Sequence, residues 1–171
     1  MQQDTFTLYK LIILYLLNRS RNPIHKGMVE EFILEKGYTN YLTLQQAMSE
    51  LIDSGLMEQQ VLNNRVLLTA TPEGSATLSY FGNRISDVIK EEANAFLKEK
   101  GEEIKKSQSI TANFYKSTMG EYDVELCIKE KESTLMNLKI SVPTSEIAEN
   151  ICLNWEQKCL QVYREVTKIL F

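Results

Sequence analysis

The segment Thr39–Gly55, TNYLTLQQAMSELIDSG, combines hydrogen-bonding side chains with the spacing of an amphipathic helix, and it contains no lysine or arginine. The apolar residues that recur at helical intervals, and should form a buried stripe, are Leu44, Ala47, Met48, Leu51 and Ile52. The polar candidates at the start of this helix and on its outward face are Asn40, Tyr41, Thr43, Gln45, Gln46 and Ser49. Glutamine can pair bidentately with adenine in the major groove, and threonine can contact base edges or a thymine methyl group. We therefore expect these side chains to contact bases; the alternative is a solvated helix face.

A helix that contacts bases needs cations beside it, because phosphate contacts supply most of the affinity for DNA. The helix itself ends in Glu50 and Asp53, which would have to lie away from the phosphates. The candidate phosphate-binding residues, all from neighbouring segments, are Arg19, Arg21, Lys26, Lys36, Asn64 and Arg65. If about five side chains met phosphates, log K would fall with log salt at a slope of roughly −4. For each cation the alternative is an ordinary surface charge, and Arg65 is the strongest candidate because a hairpin tip would place it against the DNA backbone.

Three helices precede a hairpin in the predicted order of elements. The stretch FTLYKLIILYLLN is apolar around nearly its whole circumference, which predicts a first helix buried on several sides. Residues 24–36 predict a second helix, and the third begins either at Thr39 or in a capping box formed by Thr43 and Gln46. LMEQQVL and RVLLT flank an Asn-Asn pair and predict a β-hairpin, after which TPEG opens a fourth helix. This order, over residues 1–82, is that of a winged helix-turn-helix domain.

The sequence changes character after residue 82. Residues 83–107 predict a connecting helix followed by a charged linker, KEKGEEIKKS. Residues 108–171 contain three runs of period-two alternation joined by short turns, which predict an antiparallel meander, and then a long amphipathic helix that Pro143 and Thr144 open. We therefore expect an α+β fold, in which a winged helix-turn-helix domain precedes a small three-stranded antiparallel sheet packed with a long C-terminal helix.

Composition and charge argue against several classes of protein. The 171 residues carry 19 basic and 23 acidic groups, a net charge of −4. The chain therefore has no excess of positive charge that would indicate binding to nucleic acid or to an anionic membrane. No apolar run is long enough to span a bilayer and no secretion signal is recognisable, which predicts a cytoplasmic protein without a membrane partner. Three cysteines without a CxxC pair and one histidine predict neither disulfides nor a metal site. The sequence contains no catalytic or phosphate-binding motif, so we expect neither an enzyme nor a cofactor.

Several stretches resemble known regulators. ELIDSGLM, the hairpin and LTATPEG are similar to the corresponding elements of many bacterial winged-helix regulators. Over its full length the chain resembles a bacterial family of predicted winged-helix transcriptional regulators, known only as a domain of unknown function. The stretches that carry this resemblance are FTLYKLIILYLLN, EFILEKGYTNYLTLQQAMSEL, TPEG, NRIS, KEKESTL and VPTSEIAENICLNW. The resemblance implies a winged-helix fold and brings no catalytic or binding residues with it.

These observations predict a transcriptional regulator that binds double-stranded DNA as a homodimer, with the C-terminal domain serving in dimerisation or sensing. Dimerisation is expected from the apolar first helix, the long last helix and the two-fold symmetry of DNA operators. The alternative is a winged helix that binds another protein and not DNA, which the net charge and the acidic end of the third helix favour. The sequence identifies no effector ligand.

Overall fold

The structure is a computed structural model that describes residues 2–62, 65–131 and 133–171. The described residues form an α+β fold with seven α-helices, one short 3-10 helix and two three-stranded antiparallel sheets. This class is the one the sequence predicts. Apart from residues 62–64, the chain divides into two compact units at a boundary between Ile104 and Lys105.

The first unit contains a sheet of order β1-β3-β2, with Ile24 of β1 opposite Leu68 of β3. Strand β1 has only two residues, and the sequence prediction placed them wrongly in the second helix, which begins at Lys26. So short a strand is set by its pairing partner and has no periodicity of its own. The elements are α1 (Gln2–Ser20), β1 (Ile24–His25), α2 (Lys26–Glu35), α3 (Tyr41–Asp53), β2 (Met57–Leu62), β3 (Arg65–Ala70), α4 (Pro72–Phe81), a 3-10 turn (Gly82–Arg84) and α5 (Asp87–Glu99).

Helix α1 is the centre of this unit. It packs against α3, α4, α5 and β3, so its apolar side chains are covered on several sides, as its composition predicts. The side chains of α1 that are at most 4% exposed are Leu11, Ile12, Ile13, Leu14, Leu16 and Leu17. Burial of each such side chain contributes roughly 1.5–3 kcal/mol, and α1 therefore anchors the neighbouring helices.

The TPEG stretch fixes α4 against the connection between α3 and β2. Thr71 is the N-cap of α4 and is buried; its hydroxyl accepts a hydrogen bond from the Gly74 N–H at 3.0 Å and donates one to the Gly55 carbonyl at 2.7 Å. At Gly74 the helix comes so close to this connection that a Cβ would lie 2.0 Å from the Leu56 carbonyl oxygen. Only glycine fits at this contact.

The second unit is a meander covered by one long helix. Its sheet has the order β4-β5-β6, with Phe114 opposite Val124 and Val124 opposite Ile140. Helix α7 packs one face of this sheet, with Trp155 and Cys159 buried in the shared core. The charged stretch after Gly101 forms helix α6 and not an irregular linker. The elements are α6 (Gly101–Ser109), which spans the boundary, β4 (Ile110–Lys116), β5 (Tyr122–Glu130), β6 (Ser133–Val142) and α7 (Ser145–Leu170).

Candidate functional site

Helix α3 has the amphipathic form that its spacing predicts. Leu44, Ala47, Met48 and Leu51 are each at most 3% exposed and face the core. At its N-terminal end Asn40 and Gln46 are exposed, and Tyr41 is 54% exposed. Polar groups at this end are therefore accessible to a binding partner.

The start of α3 is set by Asn40 and not by either predicted cap. Asn40 has extended backbone angles, φ −90° and ψ 167°, and its Oδ1 accepts a hydrogen bond from the Thr43 N–H at 2.9 Å. The predictions of a start at Thr39 or a capping box of Thr43 and Gln46 were wrong. Asparagine is preferred to threonine as an N-cap residue, so the residue types alone favoured Asn40 over Thr39 and Thr43. Because Oδ1 is engaged, the Asn40 amide nitrogen is the group left to contact a ligand.

Three further polar side chains of α3 donate hydrogen bonds to carboxylates. Gln45 donates from Nε2 to Glu30 of α2 at 2.6 Å, and Gln46 donates from Nε2 to Glu50 at 3.2 Å. The Ser49 hydroxyl reaches Asp53 at a longer distance of 3.4 Å. For either glutamine to pair bidentately with adenine, its Nε2 would have to leave its carboxylate. Gln46 is exposed and its bond to Glu50 is the longer of the two, whereas Gln45 is half-buried.

Glu50 is also tied to the centre of the first unit. Lys10 of α1 donates from Nζ to Glu50 at 3.2 Å. The bonds from Lys10 and then Gln46 lower the pKa of the Glu50 carboxyl. This pair holds one acidic group of α3 to α1, where it is partly neutralised.

Two cations and one aromatic side chain share a cleft beside the start of α3. Lys26 at the start of α2, Tyr41 at the start of α3 and Arg65 at the start of β3 line a space of about 520 Å³. Glu30 and Glu31 of α2 line the same cleft, as does Glu103. The cleft therefore combines the two cations with three carboxylates, and Lys26 lies 3.8 Å from Glu30 in an i,i+4 pair.

A second cleft lies between α3 and the sheet. Its space of about 290 Å³ is lined by Gln45, Ser49 and Asp53 of α3, by Lys26 of α2 and by Gln59 of β2. Lys26 lines both clefts. This cation therefore borders α3 at Tyr41 in the first cleft and at Gln45 in the second.

Three of the remaining phosphate candidates line neither cleft. Arg19 donates from Nε to Asn94 of α5 at 3.1 Å, and Lys36 forms an ion pair with Glu92 of α5 at 3.1 Å. Arg21 is exposed, with a positive φ of 58°, and it lines neither cleft. Asn64 lies outside the described residues.

Glu92 joins Lys36 to a tyrosine. The Tyr38 hydroxyl donates to the Glu92 carboxylate, and this bond, followed by that from Lys36, lowers the pKa of Glu92. Burial, reinforced by the carboxylate, raises the pKa of Tyr38 well above its ordinary value. Lys36 and Tyr38, in the segment after α2, are thus both joined to Glu92 of α5.

The chemistry available at the α3 face is hydrogen bonding and charge. Among the described residues, no group of three or more histidine, cysteine, aspartate or glutamate side chains is arranged to hold a metal ion. No helix in the described ranges is both long and apolar enough to cross a membrane. The groups present can bind a partner by amides, hydroxyls and two cations.

Comparison with known proteins places the chain in a family. Residues 9–170 match the model of the family described as Domain of unknown function (DUF4364). The chain belongs to this family. No curated protein and no solved structure matches the chain. The match confirms the part of the sequence resemblance that named a domain of unknown function.

Sequence reasoning missed the acidic residues around the α3 face of this DUF4364 domain. Glu30 stands four residues after Lys26, so the helical spacing of α2 could have indicated their pairing. Neither the bond from Gln45 to Glu30 nor the ion pair of Lys10 with Glu50, 40 residues apart, has a local signal. These long-range contacts determine how much of the α3 face is available to a ligand.

Proposed function

We propose that this DUF4364 protein is a cytoplasmic transcriptional regulator of the winged-helix type that binds double-stranded DNA as a homodimer. The observation that carries the proposal is the order α1-β1-α2-α3-β2-β3 together with the sheet order β1-β3-β2. In winged-helix proteins the third helix enters the major groove, and the hairpin between the last two strands contacts the flanking backbone. Here the exposed N-terminal end of α3 would enter the groove.

The charges beside α3 support this orientation. Lys26 and Arg65 come from different elements and line one cleft with Tyr41, so the two cations flank the start of α3. Two phosphate contacts per copy give a salt slope of about −1.8, and a two-fold dimer doubles it to about −3.6. A monomer would bind weakly, which is why the homodimer is part of the proposal.

The α3 side chains would divide into two roles. Gln46 and Asn40 are exposed and suited to base edges once Gln46 leaves Glu50, whereas Gln45 is half-buried and held by Glu30 at 2.6 Å. Gln46→Ala should therefore alter the preferred sequence more than the general affinity, as measured by selection from a random duplex pool. An unchanged preferred sequence would contradict this role.

The role of the cations can be tested directly. Replacing both Lys26 and Arg65 by alanine should weaken binding to every duplex and make the salt slope shallower by about 1.8 per copy. Lys36→Ala is the matched control, because Lys36 is paired with Glu92 and lines neither cleft. If the double variant retains the wild-type salt slope, the assignment of these cations is wrong.

A second candidate function has one observation in its favour. Glu30, Glu31 and Glu103 line the same cleft as Lys26 and Arg65, which gives it more carboxylates than cations. Such a surface would suit a basic protein partner, and this is the protein-interaction module considered from the sequence. Failure to bind any duplex at low salt would favour this candidate.

A further inference from the structure

Helix α7 carries a row of exposed side chains on the side opposite the sheet. Ala148, Trp155 and Cys159 are at most 4% exposed and face the sheet. An α-helix has 3.6 residues per turn, so positions spaced by three, four or seven residues share a face. The exposed residues on the opposite face include Glu146, Glu149, Leu153, Leu160, Arg164 and Lys168, which we name the α7 stripe. Exposed Glu156 and Gln157 lie on the same face between the two leucines.

Charge is distributed unevenly along this α7 stripe. Glu146 and Glu149 occupy its N-terminal end, Arg164 and Lys168 its C-terminal end, and two leucines lie between them. None of these four charged side chains has an ion-pair partner in the described part of the chain. The leucines, Leu153 and Leu160, are 64% and 58% exposed. The face therefore has two exposed leucines around a polar midpoint, with an acidic end and a basic end.

We propose that the α7 stripe packs antiparallel against the same stripe of a second copy of this chain. In a two-fold dimer every contact between different residues occurs twice, with the roles of the two copies exchanged. Placing Leu153 against the second copy's Leu160 fixes the register. The same register brings Glu149 opposite Arg164 and, within one residue, Glu146 opposite Lys168.

The charges select this orientation. A parallel pair would set acid against acid at one end and base against base at the other, and like charges facing each other oppose association. An antiparallel pair makes two opposite-charge contacts at each end. The acidic and basic ends are thus complementary only to an inverted copy of themselves.

The area that the pair of α7 helices buries indicates what kind of dimer to expect. Helix α7 has 26 residues and is about 39 Å long, so one helix pair about 10 Å wide buries roughly 400 Å² per copy. Stable interfaces bury about 800 Å² per partner. A pair of this size belongs with weak, reversible associations. This inference rests on the homodimer in the proposed function and specifies its surface.

A charge exchange tests the register. Sedimentation equilibrium at about 10–100 µM protein and low salt should show a reversible dimer for the wild type. Arg164→Glu alone, or Glu149→Arg alone, should raise the dissociation constant at least about tenfold, because each change makes two symmetry-related contacts repulsive. The combined variant restores opposite charges and should return the constant to near its wild-type value.

Lys158→Glu is the matched control. Lys158 is an exposed base on α7 outside the stripe, so its reversal changes the net charge as Arg164→Glu does and should leave the dimer intact. The proposal is overturned by a wild type that stays monomeric at about 100 µM, by single variants that dimerise like the wild type, or by a combined variant that does not recover.

A parallel DNA titration separates this surface from the proposed function. A monomer that binds duplex DNA would overturn the α7 stripe and the homodimer, but it would leave DNA binding by the α3 face standing. A dimer that follows the charge pattern but binds no DNA would support the stripe and contradict the regulator.

Discussion

Replacing Glu30 by glutamine should strengthen DNA binding. Glu30 lies 3.8 Å from Lys26 and accepts the bond from Gln45 at 2.6 Å, so it competes with DNA for both side chains. Each phosphate contact contributes about −0.9 to the salt slope. Lys26 is already one of the two phosphate contacts per copy, so the change removes a competing carboxylate without adding a contact. Affinity at about 100 mM salt should therefore rise by up to roughly eightfold, the value of one such contact, while the slope stays near that of the wild type.

The glutamine at position 30 retains an amide oxygen that can accept the bond from Gln45, so folding should be preserved, as a thermal melt can verify. Affinity is measured by fluorescence anisotropy with a random duplex at about 50, 100 and 200 mM salt. The matched control is Glu35→Gln, which removes the same charge from an exposed position of α2 that lines neither cleft. Equal effects of the two changes, or weaker binding by Glu30→Gln, would refute the placement of this face against phosphates.

Three further changes test the structure around the α3 face. Gly74→Ala should destabilise the protein by about 2 kcal/mol or more in urea unfolding, because its Cβ would meet a backbone oxygen at 2.0 Å. Gly82→Ala, with its nearest contact at 3.5 Å, should stay within about 0.5 kcal/mol of the wild type, and equal losses would contradict the close approach. Asn40→Ala should lower the free energy of unfolding by about 1 kcal/mol, and Thr39→Ala should lower it much less. The reverse order would show that Asn40 is not the N-cap of α3. The pKa of Glu92 is lowered in the folded state. The ionised carboxylate therefore stabilises the fold at pH values above the ordinary carboxyl pKa of 4.5, and this contribution is lost as the pH falls through the lower pKa of the folded state. Glu92→Gln should therefore weaken the dependence of the free energy of unfolding on pH at acid pH. An unchanged dependence would be inconsistent with the contacts of Glu92 with Tyr38 and Lys36.

Elements with many regular positions could be predicted from the sequence. The apolar stripe of α3, the alternation in β4, β5 and β6 and the long amphipathic α7 follow from side-chain periodicity, which depends only on the local helix or strand. The all-round apolar composition of α1 likewise predicts its central position. Burial enforces these patterns on many residues at once, and a single unusual residue does not obscure them.

Features set by one or two long-range contacts could not be predicted. Strand β1 exists because Ile24 pairs with Leu68, and α2 consequently begins two residues later than its pattern suggests. The engagement of Gln45 depends on Glu30 of another helix, and Arg19 is held by Asn94 of α5. The sequence identifies such side chains as polar and outward-facing, but their partners are fixed only when the helices pack.

The central proposal, DNA binding by the α3 face, is tested most directly by titrating the purified wild-type protein with a random duplex at about 50 and 200 mM salt. Sequence-independent phosphate contacts survive without the correct operator, so a dimer with two cations per copy should bind at the lower salt and weaken about a hundredfold at the higher. Absence of salt-dependent binding at the lower salt would contradict the proposal.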